Sequence, residues 1–178
     1  VVLFGTEIEI SSNVLTHRGP NEYGSKTLKK CRMDFYRLAI NDLTSTGMQP
    51  FVQRDESMLV CNGEIYNHKE FRTGNEIGTS DCEVLLPMIE RYGIMETVDK
   101  INGDFALVYT TGDRVIAARD PLGVRPLFYT RYDTNSIAFA SEAKALLVMN
   151  SEIHVFPPGH VYDSYIDDFA SYYNTYWD

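Results

Sequence analysis

No run of roughly 18–20 apolar residues occurs in this 178-residue sequence, so nothing in it reads as a membrane-spanning helix. Cysteine is scarce too. Cys31, Cys61 and Cys82 are too few and too scattered for a disulfide scaffold or a zinc site, and a reducing, cytoplasmic setting fits them best. Basic charge is the third shortage. Sixteen Lys and Arg against 25 Asp and Glu give a net charge of −9, a surface that repels a nucleic-acid backbone. The sequence also lacks an internal repeat, a low-complexity run, a Pro/Gly/Ser linker and a signal-peptide pattern, so residues 1–178 read as one domain. What is present is enough apolar material for one sizeable core: hydrophobic residues make up 44% and charged residues 23%.

Strand-like segments dominate. Val1–Gly5, Cys31–Ile40, Ser57–Cys61, Phe105–Thr110, Arg114–Ala118, Leu127–Tyr132, Ile137–Ala140 and Val155–Asp163 are short and rich in β-branched and aromatic residues, with Gly, Asn, Asp or Pro in most of the gaps. Thr111-Gly112-Asp113 reads as the turn of a hairpin. One helix is well specified. Ser80 and Glu83 have capping-box spacing, Val84, Leu85, Met88, Ile89 and Tyr92 form a stripe, and Gly93 is a stop. Shorter helices are expected over Glu142–Met149 and around Glu96–Ile101. The aromatic end, Tyr172 to Trp177, is expected to cap the core. Hairpin strands with a few helices suggest an α+β layered sandwich.

Pattern alone does not locate an active site. Asn62-Gly63-Glu64-Ile65-Tyr66-Asn67-His68 follows the strand Ser57–Cys61 and reads as a turn at its end. The alternative is that the Asn62 amide and the Gly63 N–H aim at one oxygen, which is the make-up of an oxyanion hole. No phosphate-binding glycine loop occurs, and His17, His68, His154 and His160 have no metal-ligand spacing.

That segment resembles the signature of class II glutamine amidotransferase domains, in the version found in asparagine synthetases. Further matches follow in order: His17-Arg18-Gly19-Pro20, Arg37-Leu38-Ala39-Ile40-Asn41-Asp42, Met48-Gln49-Pro50, Ser80-Asp81-Cys82-Glu83, Asn102-Gly103-Asp104, Arg119 to Leu127, Ser141 to Leu146 and Phe156-Pro157-Pro158-Gly159. Two positions depart from the pattern: Asn21 stands for an Asp, and Asn41 for an aliphatic residue.

The resemblance implies an N-terminal-nucleophile hydrolase fold, a four-layer α-β-β-α sandwich of two antiparallel sheets. It implies hydrolysis of L-glutamine to glutamate and ammonia, with ammonia passed to an ATP-dependent synthetase domain or subunit that aminates aspartate. ATP and Mg²⁺ then belong to that domain; no cofactor or metal is expected in these residues. The nucleophilic Cys is expected three residues before Val1, since Val1–Gly5 matches the end of the family's opening C-G-I-x-x-L-F-G. By the same resemblance Arg37 holds the substrate carboxylate, Asp81 its ammonium, and Asn62 and Gly63 the oxyanion, while Leu38, Ile40, Asn41 and Glu64 complete the pocket. Arg18, Arg119, Asp120 and Arg125 are expected to brace loops, and Cys61 and Cys82 to be structural thiols. No membrane or nucleic-acid partner is expected, and a homodimer is possible. The alternative is a non-catalytic relative that lacks the N-terminal Cys and serves as a scaffold or interface. Supply of ammonia to another acceptor, such as a sugar phosphate, is a further alternative.

Overall fold

The computed structural model describes residues 1–5, 14–38, 45–54, 56–74 and 78–173. Among them twelve strands form in chain order: β1 (Val2–Phe4), β2 (Glu22–Leu28), β3 (Cys31–Arg37), β4 (Phe51–Gln53), β5 (Ser57–Ile65), β6 (Gly103–Thr110), β7 (Val115–Arg119), β8 (Phe128–Asp133), β9 (Ser136–Ala140), β10 (Ile153–Val155), β11 (His160–Asp163) and β12 (Asp168–Ser171). Two helices, α1 (Leu85–Tyr92) and α2 (Ile94–Lys100), follow a 3₁₀ turn at Asp81–Val84, and another 3₁₀ segment covers Ala143–Met149.

The strands build two six-stranded sheets, one in the order β10-β8-β9-β1-β3-β2 and one in the order β12-β11-β7-β6-β5-β4. Each pairing is antiparallel. Side-chain alternation explains why they stack. On β5 and β6, Met58, Val60, Ala106 and Val108 face the other sheet and meet Val2, Met33 and Phe139 there. Their neighbours Leu59, Cys61, Phe105 and Leu107 face away and bury the apolar stripes of α1 and α2. The outer face of the first sheet buries Leu3, Ala138 and Ala140 under Leu15, Ala145 and Leu146. The expected four layers are therefore present. Among the described residues the layer outside the first sheet is a thin one, made of 3₁₀ turns rather than long helices.

The expected elements hold at most positions. Tight turn chemistry closes the β6–β7 hairpin: the Gly112 N–H donates to Thr110 Oγ1 at 2.8 Å, and Gly112 takes φ +85°. Gly93 ends α1 at φ +78°, and its N–H donates to the Ile89 carbonyl at 2.8 Å. Four readings are corrected. The segment Val155–Asp163 is two strands in different sheets, because Pro157 and Pro158 offer no N–H and Gly159 turns the chain at φ +64°. The Ser80–Glu83 capping box does not form: Ser80 makes no side-chain cap bond, and the Glu83 carboxylate accepts the Gly78 N–H instead. The helix expected over Glu142–Met149 is a 3₁₀ segment over Ala143–Met149, preceded by Glu142 without a side-chain cap. Asn62 and Gly63 are not a turn. They lie inside β5, which runs on to Ile65 because β6 continues opposite it. At the aromatic end, Tyr172 packs on the helical cluster and donates its hydroxyl to the Arg119 carbonyl at 2.6 Å; Trp177 lies outside the described residues.

Candidate active site

At one end of the sandwich the two sheets part around a cavity of about 270 Å³. Of the residues singled out from the sequence, Arg37, Leu38, Asn62, Gly63, Glu64 and Asp81 all border it. Ile40 and Asn41 lie outside the described residues. Four separate elements thus converge: the end of β3, the second half of β5, the start of the 3₁₀ turn before α1, and the first residue of the chain.

Alternation places the side chains. Cys31, Met33 and Phe35 of β3 face the inter-sheet space, so Arg37 faces it as well; Met58 and Val60 of β5 do the same, so Asn62 does too. Arg37 is 4% exposed and donates from Nη1 to Glu22 Oε1 at 3.2 Å. Leu38, by contrast, is exposed at the rim. Asp81 is buried, and its Oδ2 accepts the Ile65 N–H at 2.7 Å, which ties the 3₁₀ turn to the end of β5.

Among the described residues two buried side-chain nitrogens have no hydrogen-bond partner, Arg125 Nε, which keeps an ion-pair contact to Asp104, and Asn62 Nδ2, which has none. A donor left in that state costs about 1–3 kcal/mol, so a buried amide aimed at a cavity is ready for an acceptor that enters it. Gly63 supplies a second donor at the same edge. The N–H groups of Cys61 and Ile65 both bond away from β6, to Gln49 and Asp81, and the strand repeat turns the Gly63 N–H to that side as well. Glycine is required at position 63, because a Cβ there would sit 2.0 Å from the Asp104 carbonyl oxygen across the β5–β6 pair.

The surrounding groups hold this arrangement. Arg119 donates to the carbonyls of Gly123, Arg125 and Phe156, and the Asp120 carboxylate accepts the N–H groups of Leu122, Val124 and Arg125. Arg125 reaches Asp104 Oδ2 at 2.6 Å from that braced loop, and Arg18 is held by Glu142 at 3.3 Å. Both arginines also border the cavity. The Cys82 thiol contacts the Gly63 carbonyl at 3.6 Å and is raised well above the ordinary thiol range by the Cys61 thiol and by burial. Such thiols stay protonated and make poor nucleophiles at neutral pH. Gln49 was quoted only as part of a motif, yet it borders the cavity and bonds β5 beside Asn62. Its signal in the sequence is a Gln set against a Pro at the start of a strand. Among the described residues no cluster of His, Cys, Asp and Glu could hold a metal ion, and no helix is long and apolar enough to cross a membrane.

A guanidinium and a carboxylate on the walls, with the Asn62 amide and the Gly63 N–H on one strand, suit a small zwitterion bearing a carbonyl. The layering defines the class. The chain superimposes with a TM-score of 0.78 on glutamine phosphoribosylpyrophosphate amidotransferase from B. subtilis, over 98% of this chain and 49% of that one, at 20% identity. It matches the allosteric regulatory enzyme of purine biosynthesis with a TM-score of 0.79 at 19% identity, again over 98% and 49%. At such identities the likeness is one of fold: the N-terminal-nucleophile hydrolase sandwich. Sequence then gives the family. A family model described as a glutamine amidotransferase domain matches residues 5–155, and the chain belongs to that family. It is 41% identical to glutamine-hydrolysing asparagine synthetase 3 of Arabidopsis thaliana over 96% of this chain and 30% of that protein. It is 39% identical to glutamine-hydrolysing asparagine synthetase 1 of Saccharomyces cerevisiae over 93% and 30%. The chain therefore spans about 30% of the length of these relatives.

Proposed function

We propose that this chain is the glutaminase part of a glutamine-dependent asparagine synthetase. It hydrolyses the side-chain amide of L-glutamine and passes ammonia to an ATP-dependent domain that aminates aspartate. ATP and Mg²⁺ act in that domain, and the three free buried thiols suit a reducing, cytoplasmic location.

The observation that carries the reading is strand register. β1 pairs Val2 with Met33 and Leu3 with Arg32. Extended backwards, the same register brings the third residue before Val1 opposite Arg37. Parity gives that residue the face of Val2, Arg37 and Asn62, toward the cavity. This is where the family start expects its Cys.

The chemistry follows from the wall residues. Arg37 takes the α-carboxylate of glutamine in a two-pronged contact, and Asp81 takes the α-ammonium. Leu38 and Glu64 shape the walls. The thiolate attacks the amide carbon, and the C=O π pair moves onto oxygen. Asn62 Nδ2 and the Gly63 N–H donate to that oxyanion. The α-amino group of the same Cys, with an ordinary pKa near ~8, first accepts the thiol proton and then delivers it to the leaving nitrogen. The C–N bond breaks, ammonia departs, and water cleaves the thioester to glutamate and free thiol.

The test is direct. With Cys-Gly-Ile placed before Val1, the chain releases ammonia from glutamine, and a glutamine-like alkylating agent adds its mass to the N-terminal peptide. A folded protein that neither hydrolyses glutamine nor labels there is the scaffold relative instead.

A further inference from the structure

We infer that Gln49 is a positioning residue for the oxyanion donors, its side-chain amide standing in for a strand that stops short. The inference rests on the glutaminase reading. β4 pairs with β5 from Gln53 opposite Ser57 to Phe51 opposite Leu59. The ladder ends there, with Pro50 and Gln49 lying outside β4. Among the described residues no backbone group pairs with the β5 edge from Cys61 onward on that side. Buried peptide groups left unpaired there are costly and free to tilt.

Gln49 closes the first of these gaps. Its Nε2 donates to the Cys61 carbonyl at 3.1 Å, and the Cys61 N–H donates to its Oε1 at 2.7 Å. The side chain thus reproduces both bonds of a missing strand residue, at 6% exposure and on the cavity wall. The peptide it grips is the one before Asn62. Four residues on from Cys61, Asp81 grips Ile65 on the same edge, so the Gly63 N–H lies between two fixed points. Without Gln49 the edge is held from one side only. Asn62 and Gly63 then lose their aim at the oxyanion, while Arg37 and Asp81, which hold the α-carboxylate and α-ammonium of the amino acid, do not move.

The signature is a fall in turnover with no loss of substrate affinity. In the full-length protein that carries this chain, Gln49→Met keeps the length of the side chain and removes both bonds. The expected result is a kcat lower by about 10- to 100-fold, the scale of a small misplacement. KM for glutamine should stay within about twofold of wild type. Gln49→Glu adds a readout that a purely structural role does not move. Ionised, it accepts from the Cys61 N–H but repels the Cys61 carbonyl; protonated, it regains a donor. Its kcat relative to wild type should therefore climb as pH is lowered, and this comparison decides the matter if Gln49→Met fails to fold. Wild-type kcat in folded Gln49→Met, or a flat pH ratio for Gln49→Glu, overturns the inference. A wild-type protein that releases no ammonia refutes the glutaminase reading itself, and the inference falls with it before any variant is made.

Discussion

The two halves of β5 are one continuous strand with opposite duties. From Ser57 to Cys61 it lies beyond the reach of solvent, with β6 on one side and β4 on the other as far as Leu59. From Asn62 to Ile65 the pairing with β6 continues but β4 has ended. On the open edge side chains take over: Gln49 at Cys61, the Cys82 thiol at the Gly63 carbonyl and Asp81 at the Ile65 N–H. The first half is built mostly from apolar side chains and is laddered on both sides as far as Leu59. The second keeps a buried amide without a partner among the described residues. The site arises where one sheet runs out of backbone partners before its neighbour strand ends, and the strand stays straight because polar side chains replace the missing ladder.

Paired truncations on the two halves give the largest expected contrast. Leu59→Ala, in the fully buried half, should cost about 2–5 kcal/mol of stability, measured by denaturant unfolding, with turnover per folded molecule unchanged. Asn62→Ala should do the reverse, with kcat lower by about 10²–10³ and little change in unfolding. If Asn62→Ala unfolds the protein and leaves turnover intact, the second half is structural like the first.

Arg37→Lys should raise KM for glutamine through a loss of roughly 1.5–3 kcal/mol, because an ammonium cannot make the two-pronged contact. An unchanged KM removes Arg37 from substrate binding. The thiols provide a sharper control on what is reactive. Burial pushes Cys31 up to about 12, and the Cys61 thiol with burial holds Cys82 far above its usual range. Native chain should therefore resist alkylation at neutral pH over minutes, and denatured chain should label at all three positions, as read by mass spectrometry.

The smallest effect lies at the rim. Burial opposes ionisation of Glu142, but hydrogen bonds from His17, Lys144 and Arg18 outweigh it and lower its pKa to about 2. A carboxylate with a depressed folded-state pKa stabilises the fold above its unfolded value of 4.5, and that contribution is lost as pH falls toward about 2. The group is 25% exposed, so solvent screening keeps the contribution below about 1 kcal/mol. Glu142→Gln should flatten the acid limb of stability in that window and leave neutral stability little changed. An identical acid limb in the variant would show the cluster to be inert.

How far the sequence could be read follows from the same physics. Central strands buried on both faces, such as Phe105–Thr110 and Ile137–Ala140, were legible because a short run of apolar, β-branched and aromatic residues is a local signal. β2 was not, since Glu22–Leu28 is an edge strand with polar residues on both faces. β4 and β12 are only three and four residues long, too short for a period. The Asn-Gly pair misled because turn statistics are local, whereas its strand conformation is set by β6 from forty residues away in sequence. The family motif located Arg37, Asn62 and Asp81 without giving their geometry. Gln49 was in view as a motif residue, but its bonds to Cys61 depend on where β4 stops, which is a tertiary fact.

The central claim is that an N-terminal thiol, Arg37 and the donors of Asn62 and Gly63 converge on one amide. A crystal structure of the chain carrying Cys-Gly-Ile before Val1, after reaction with a diazoketone analogue of glutamine, tests it most directly. The account expects the new carbon–sulfur bond at that Cys, opposite Arg37. It also expects the ketone oxygen to lie about 2.7–3.1 Å from both Asn62 Nδ2 and the Gly63 nitrogen. An adduct on Cys31, Cys61 or Cys82, or a ketone oxygen turned away from both donors, would contradict it.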